Sequence, residues 1–86
     1  MDIEDYLSLT KDSRSKKCIV YDIMGYKYSG IYDGETFKNN ELSLCLILDS
    51  ATKEKLKNAD VECNKNGDID IAIRISAIQE IVFLIN

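Results

Sequence analysis

The sequence of 86 residues contains no histidine, no proline and no tryptophan, and only four glycines. Histidine is the commonest general base and the commonest metal ligand in proteins, so its absence removes the simplest route to catalysis or metal binding. No linker rich in Pro, Gly or Ser divides the chain. No glycine-rich phosphate loop is present either, because Gly25, Gly30 and Gly34 lie along a predicted strand rather than before a helix. We therefore predict a non-enzymatic protein that carries no cofactor.

Cysteine is sparse, and Cys18, Cys45 and Cys63 are odd in number and widely spaced. Such a set argues against a disulfide framework, suggests a reducing compartment, and lacks the C-x-x-C spacing of a zinc site. The carboxylates near Asp33 and Asp68 do not match a calcium loop. We predict no metal site, core positions for Cys18 and Cys45, and a cytoplasmic location.

Long apolar runs are also absent, and none approaches the roughly 20 residues that a membrane-spanning helix needs. The first residues, MDIEDYLSL, are acidic where a targeting segment would be basic, so we expect no signal peptide. With 15 acidic and 11 basic residues the net charge is −4, which disfavours RNA or DNA because binding them depends on neutralising phosphates. We expect no membrane partner and no DNA partner.

What remains is the composition of one small globular domain, with 45% hydrophobic and 30% charged residues. Residues 1–12 predict an N-terminal helix, because Ile3, Tyr6, Leu7 and Thr10 recur at helical spacing and acidic side chains occupy the first turn. The single domain, 1–86, is then predicted to hold three strands, a variable insertion and two further strands, within residues 17–48, 49–68 and 69–86.

The predicted strands are apolar or alternating runs bounded by turn signals. They cover residues 18–23, 26–32, 42–48, 70–76 and 78–85, with a loop at 33–41. Gly30 inside the second strand predicts a bend or a close backbone approach. Tyr26, Tyr28 and Tyr32 share one strand face by parity, which favours packing or protein contact over base stacking in the absence of a basic groove.

Five short strands around one small core predict a mainly β fold. The specific expectation is a small, strongly bent five-stranded barrel behind the short helix, because closure removes exposed strand edges. A split β-sandwich and an α+β sheet remain as alternatives.

Two stretches of the chain resemble the Sm-like family. Gly25 and Gly30 in MGYKYSGIY have the G-x-x-x-x-G spacing of the first Sm motif. Ile-Arg at 73–74, followed by Ile78 and Ile81, matches the second motif, Ile-Arg-Gly-x-x-Ile-x-x-Ile. The N-terminal helix and the insertion before the fourth strand also fit. The resemblance covers nearly the whole chain and implies an Sm-like barrel.

In that family an aromatic residue, an asparagine and the motif arginine form a pocket for an RNA base. The resemblance therefore implies an RNA-binding site at the matching positions, which are Phe37, Asn39, Asn40 and Arg74. The first motif here lacks its aspartate, and Ile75 stands where the second has glycine after the arginine.

Arg74 has other interpretations from the residues alone. The isoleucines at 69, 71, 73 and 75 alternate with it, so Arg74 faces away from them, toward solvent. A salt bridge to a neighbouring subunit, through Asp70 or Glu80, is a further alternative.

Neighbouring Sm-like barrels pair the fourth strand of one with the fifth of the next and close a ring. The resemblance thus implies self-association through an interface that includes Asp70, Ala72, Arg74, Ile78, Ile81 and Phe83. Our first hypothesis is a non-catalytic, self-associating module that makes protein–protein contacts. The second is an oligomeric protein that recognises single-stranded, U-rich RNA. The third is a small inhibitor, immunity or phage-type protein that acts on a larger protein partner.

Overall fold

The structure, a computed structural model, describes residues 1–48, 62–63 and 69–84. A helix, α1 (Ile3–Thr10), precedes six strands: β1 (Lys17–Asp22), β2 (Lys27–Lys38), β3 (Glu41–Leu48), β4 (Glu62–Cys63), β5 (Ile69–Arg74) and β6 (Ile78–Phe83). A 3-10 turn, Ile75–Ala77, joins β5 to β6. The prediction of a mainly β fold behind a short N-terminal helix is confirmed, whereas most of the predicted insertion lies outside the described residues.

All six strands belong to one antiparallel sheet in the order β4-β5-β3-β2-β1-β6. The last strand in the chain therefore lies beside the first. Within the described residues the sheet is open, because its outer strands β4 and β6 do not pair with each other. In this part of the chain no helix is long and apolar enough to cross a membrane.

Helix α1 begins at a side-chain cap and is fixed to the sheet by one aromatic residue. The Asp2 carboxylate accepts a hydrogen bond from the Asp5 backbone N–H at 2.8 Å, which satisfies one of the free donors of the first turn. Tyr6 is fully buried, and Thr10 is buried one turn later. The predicted apolar face is thus half correct, because Ile3 and Leu7 remain about half exposed.

Strand β2 is longer than predicted. The expected loop at 33–41 is instead a continuation of the strand to Lys38, after a register shift between Tyr32 and Glu35. Gly34 has a φ of +85° inside this bulge, a conformation that glycine adopts at little cost. The predicted loop therefore begins with a bulge at Asp33-Gly34, and the strand resumes beyond it.

The connection between β2 and β3 is a two-residue hairpin turn. Asn39 and Asn40 have φ values of 53° and 63°, and Lys38 pairs with Glu41 across the turn. Positive φ at both central residues is typical of the type I′ turn, whose twist suits a hairpin, and asparagine tolerates it better than most residues. This turn replaces the longer loop of the prediction.

The close backbone approach predicted at Gly30 is present. A Cβ atom built on Gly30 would lie 2.1 Å from the backbone oxygen of Ile47 on β3. Glycine is needed here for space, because its neighbours at this point are backbone atoms that cannot rotate away.

The core lies on one face of the sheet and contains Tyr6, Cys18, Val20, Tyr32, Leu44, Leu46, Leu48, Ile75, Ile78 and Ile81. Cys18 is fully buried as predicted, and its burial raises the pKa of the thiol to about 11. Cys45 is half-buried rather than in the core, because it alternates with Leu44 and Leu46. Tyr26 precedes β2 and is exposed, so it does not share the inward face of Tyr32.

Candidate functional site

Arg74 ends β5 on the face opposite the core, as alternation with the isoleucines predicts. Its Nη1 atom lies 3.2 Å from Oε2 of Glu41, and both side chains are well exposed. The ion pair is diagonal across two strands, since Arg74 pairs directly with Ser43 of β3. Glu41 was not among the predicted partners of Arg74, because the contact follows from the β3–β5 register and sequence does not show that register.

The other predicted RNA-binding residues lie at the β2–β3 hairpin. Phe37 is 76% exposed near the end of β2 and pairs with Leu42, while Arg74 pairs with the next residue, Ser43. Successive residues of a strand point to opposite faces, so Phe37 and Arg74 lie on opposite faces of the sheet. Asn39 and Asn40 form the exposed turn that joins β2 to β3. The RNA-binding site stays a prediction.

Two strands present backbone edges in the described part of the chain. β6 pairs with β1 on one side and has no described neighbour on the other. β4 pairs only with Asp70 and Ile69, so residues 71–74 of β5 extend beyond it. Free N–H and C=O groups along such edges are sites where another strand can add.

The predicted interface residues divide between these edges and the core. Ala72 and Arg74 are exposed on β5, and Asp70 is half-buried. Ile78 and Ile81 are buried and Phe83 packs against the core. The side chains of Ile78 and Ile81 face the core of their own chain, so a neighbouring subunit could meet β6 only through its backbone and its outer side chains; the interface stays a prediction.

A cluster that the sequence did not indicate joins α1 to the β2 bulge. The Tyr6 and Tyr32 hydroxyls are 2.8 Å apart and lie 3.0 and 2.7 Å from Oε2 of Glu35. Each phenol has one proton, so two of these three contacts are hydrogen bonds at any moment. Simple alternation places Glu35 opposite Tyr32, and the bulge brings both to one face. The signal that could have revealed the cluster is Asp-Gly inside an otherwise continuous strand.

Burial raises the pKa of both phenol hydroxyls. Desolvation raises the pKa of Tyr6 well above the ordinary tyrosine value, and hydrogen bonding to Tyr32 and Glu35 adds to the effect. Desolvation also raises the pKa of Tyr32. Both hydroxyls are therefore neutral donors at pH 7, and the Glu35 carboxylate accepts from them. The arrangement fixes the helix to the sheet.

Beside this cluster lies an open depression of about 450 Å³. Its lining includes Glu35 and the Arg14–Asp33 pair, whose Nε and Oδ1 atoms are 3.7 Å apart. Charges of both signs line it, and no set of three or more potential metal-ligating side chains occurs among the described residues. The depression can offer hydrogen bonds and opposite charges to a polar group.

Comparisons with protein-family models, with curated proteins and with solved structures find no match to this chain.

Proposed function

We propose that the chain is an Sm-like domain that serves as a non-catalytic assembly module and associates with copies of itself. The observation that carries the proposal is that residues 71–74 of β5 and the outer side of β6 have no neighbouring strand among the described residues. In the Sm-like family the fourth and fifth strands of neighbouring barrels pair. Those positions correspond here to β5 and β6, since β4 is a two-residue strand within the insertion.

The order of elements supports the Sm-like assignment. A helix leads into the antiparallel succession β1-β2-β3, then β5 pairs with β3, and a 3-10 turn returns the chain so that β6 pairs with β1. The positions of the second motif agree with this order, since Arg74 ends β5 and Ile78 starts β6.

The composition of β6 supports its role as a contact edge. Proteins protect exposed edges with lysine, proline or a bulge that twists the edge away. Residues 78–83, IQEIVF, contain neither lysine nor proline. The exposed Glu80 and a register shift against β1 lie in the first half of the strand, and Val82, beyond them, is partly exposed on the outer face. Such an edge is an aggregation hazard when bare and is stabilised when a neighbouring subunit adds a strand.

Paired substitutions test this proposal. Val82→Lys adds a charge beside the β6 edge, whereas Thr36→Lys adds the same charge at an exposed position of the interior strand β2. We expect Val82→Lys to lower the molar mass measured by light scattering and Thr36→Lys to leave it unchanged. Equal masses for both variants and the wild type would contradict edge-mediated assembly.

The RNA-binding alternative has less support, because Arg74 is paired with Glu41 and Phe37 lies on the other face of the sheet. Its test is binding of a uridine-rich oligonucleotide at moderate salt. Binding that is lost in Arg74→Ala would favour this alternative over a module that makes protein contacts alone.

A further inference from the structure

The connection between β1 and β2 exposes three large apolar side chains. In this β1–β2 tip, residues 23–26, Ile23, Met24 and Tyr26 are 62%, 76% and 63% exposed. Tight turns usually carry Gly, Asn, Asp, Ser or Pro, because those residues suit the backbone and interact well with water. Clustered apolar exposure on a surface marks an interaction site more often than chance.

The tip is held in one conformation by Asp22, which is almost fully buried. Its Oδ1 atom accepts hydrogen bonds from the backbone N–H groups of Met24 and Tyr26 at 2.9 and 2.8 Å. The backbone N–H of Gly25 donates to the Asp22 carbonyl at 3.0 Å. A tip fixed in this way loses little conformational entropy when it binds, which favours affinity.

Acidic side chains flank the tip. The Ile23 N–H donates to the carbonyl of Ala77 at 2.9 Å, and the Met1 ammonium donates to the carbonyl of the next residue, Ile78, at 2.6 Å. The start of α1 therefore lies next to the tip. Its first turn presents three exposed carboxylates, those of Asp2, Glu4 and Asp5. The Met1 ammonium and the exposed Lys27 side chain offset part of their charge.

We propose that the β1–β2 tip docks into an apolar pocket on another protein, and that Lys and Arg side chains line the rim of that pocket. The apolar side chains fit a dry pocket, and the carboxylates of α1 complement a basic rim. The same carboxylates oppose binding to an anionic lipid surface.

Judged from residues 1–48, 62–63 and 69–84, a second copy of the chain is a poorer fit for the tip. The depression beside α1 is lined by charged side chains, including Arg14, Asp33 and Glu35, and offers no dry apolar pocket. Both strands that the tip joins, β1 and β2, are interior strands of the sheet. Docking at the tip therefore involves neither residues 71–74 of β5 nor the Val82 end of β6, which are the parts that the assembly proposed above uses.

Photo-crosslinking identifies the partner. The chain has two methionines, so growth with photoreactive methionine places the reactive group at Met1 and Met24. Met24→Leu keeps an apolar tip without the reactive group. We expect a protein to crosslink to the wild type in cells that make it, and to be lost from Met24→Leu. The absence of any Met24-dependent crosslink to a protein overturns the proposal.

The purified partner then supplies the decisive comparison. Ile23→Ser combined with Met24→Ser should weaken its binding at least tenfold, mainly through faster dissociation. Phe37→Ser is the matched control, because Phe37 is as exposed as Met24 but lies at the other hairpin. Equal losses for both, or no loss for the tip variant, contradict the proposal.

The carboxylates of α1 are tested separately, through the rate of association with the partner. Glu4→Gln combined with Asp5→Asn should slow association several-fold and flatten its dependence on salt, with dissociation nearly unchanged. An unchanged association rate argues against a basic rim. Binding of the wild type, but not the Ile23/Met24 variant, to phosphatidylcholine–phosphatidylglycerol vesicles would assign the tip to a membrane. A lower molar mass for the Ile23/Met24 variant than for the wild type would assign the tip to self-association. Either of these two results overturns docking to another protein.

Discussion

Gly30→Ala tests whether β2 and β3 approach as closely as the structure shows. The added Cβ would lie 2.1 Å from the Ile47 oxygen, 2.9 Å from the Ile47 carbonyl carbon and 3.1 Å from the Leu48 Cα atom. Ordinary contacts of a Cβ begin at 3.4 Å, so the strands must separate by more than an ångström. Because all three neighbours are backbone atoms, no side-chain rotation relieves the contact.

The expected loss of unfolding free energy lies at the upper end of the range for overpacking, about 3 kcal/mol. A domain of this length has roughly 4–13 kcal/mol of stability, so the loss is a large fraction. The corresponding drop in melting temperature is about 12–24 °C.

Gly25→Ala is the matched control. Gly25 has a φ of +87°, and a Cβ there would meet nothing within 4 Å. Its expected cost is the strain of a left-handed alanine, about 1 kcal/mol, or about 4–8 °C. Thermal unfolding followed by circular dichroism measures both variants. If Gly30→Ala is no more destabilising than Gly25→Ala, the close approach of β2 and β3 is refuted.

Three further predictions concern single contacts. Tyr6→Phe removes the hydroxyl that bonds to Tyr32 and Glu35 and should cost about 1–2 kcal/mol in urea unfolding. Because the native pKa of Tyr6 is raised above 10.0, the ordinary tyrosine value, Tyr6 makes its full contribution to the free energy of unfolding below pH 10.0. That contribution is lost as the pH rises above this value, so Tyr6→Phe should flatten the decline of stability at alkaline pH. Arg74→Ala should cost less than about 1 kcal/mol, since its ion pair is exposed, and the cost should shrink in high salt. Asn40→Ala should unfold about 1 kcal/mol more easily than Asn40→Gly, because position 40 has positive φ.

The sequence predicted correctly the helix α1, the alternation of faces along β5 and the special backbone position of Gly30. Acidic residues and apolar spacing predicted α1, and alternation over residues 70–76 predicted that Ile71 and Ile73 face the core while Ala72 faces solvent. Gly30 predicted a bulge, a sharp bend or a close backbone approach, and the structure shows the close approach. For α1 and for the alternation the signal lies within the residues it describes, whereas Gly30 does not show which strand approaches it; that partner is Ile47 on β3.

Features that depend on register could not be predicted in the same way. The bulge at Asp33-Gly34 looks like a turn in sequence, and it reverses the parity of everything that follows in β2. The Tyr32–Glu35 contact and the face on which Phe37 lies both follow from that reversal. Likewise, the Arg74–Glu41 pair needs the alignment of β5 on β3, which only tertiary packing sets.

The candidate site residues show the same division. Phe37, Asn39, Asn40 and Arg74 were chosen by motif spacing, and the fold brings Arg74 to the end of β5 as that spacing implies. Motif spacing does not show side-chain burial, so it does not reveal that Ile78 and Ile81, two of the predicted interface residues, complete the core.

The most direct test of the assembly proposal is the molar mass of the wild-type chain in solution, measured by light scattering after size exclusion. Association through the β5 and β6 edges predicts a discrete multiple of the 9.8 kDa chain that persists on dilution. A mass of 9.8 kDa at every concentration would contradict it, and would mean that both edges remain unpaired in solution.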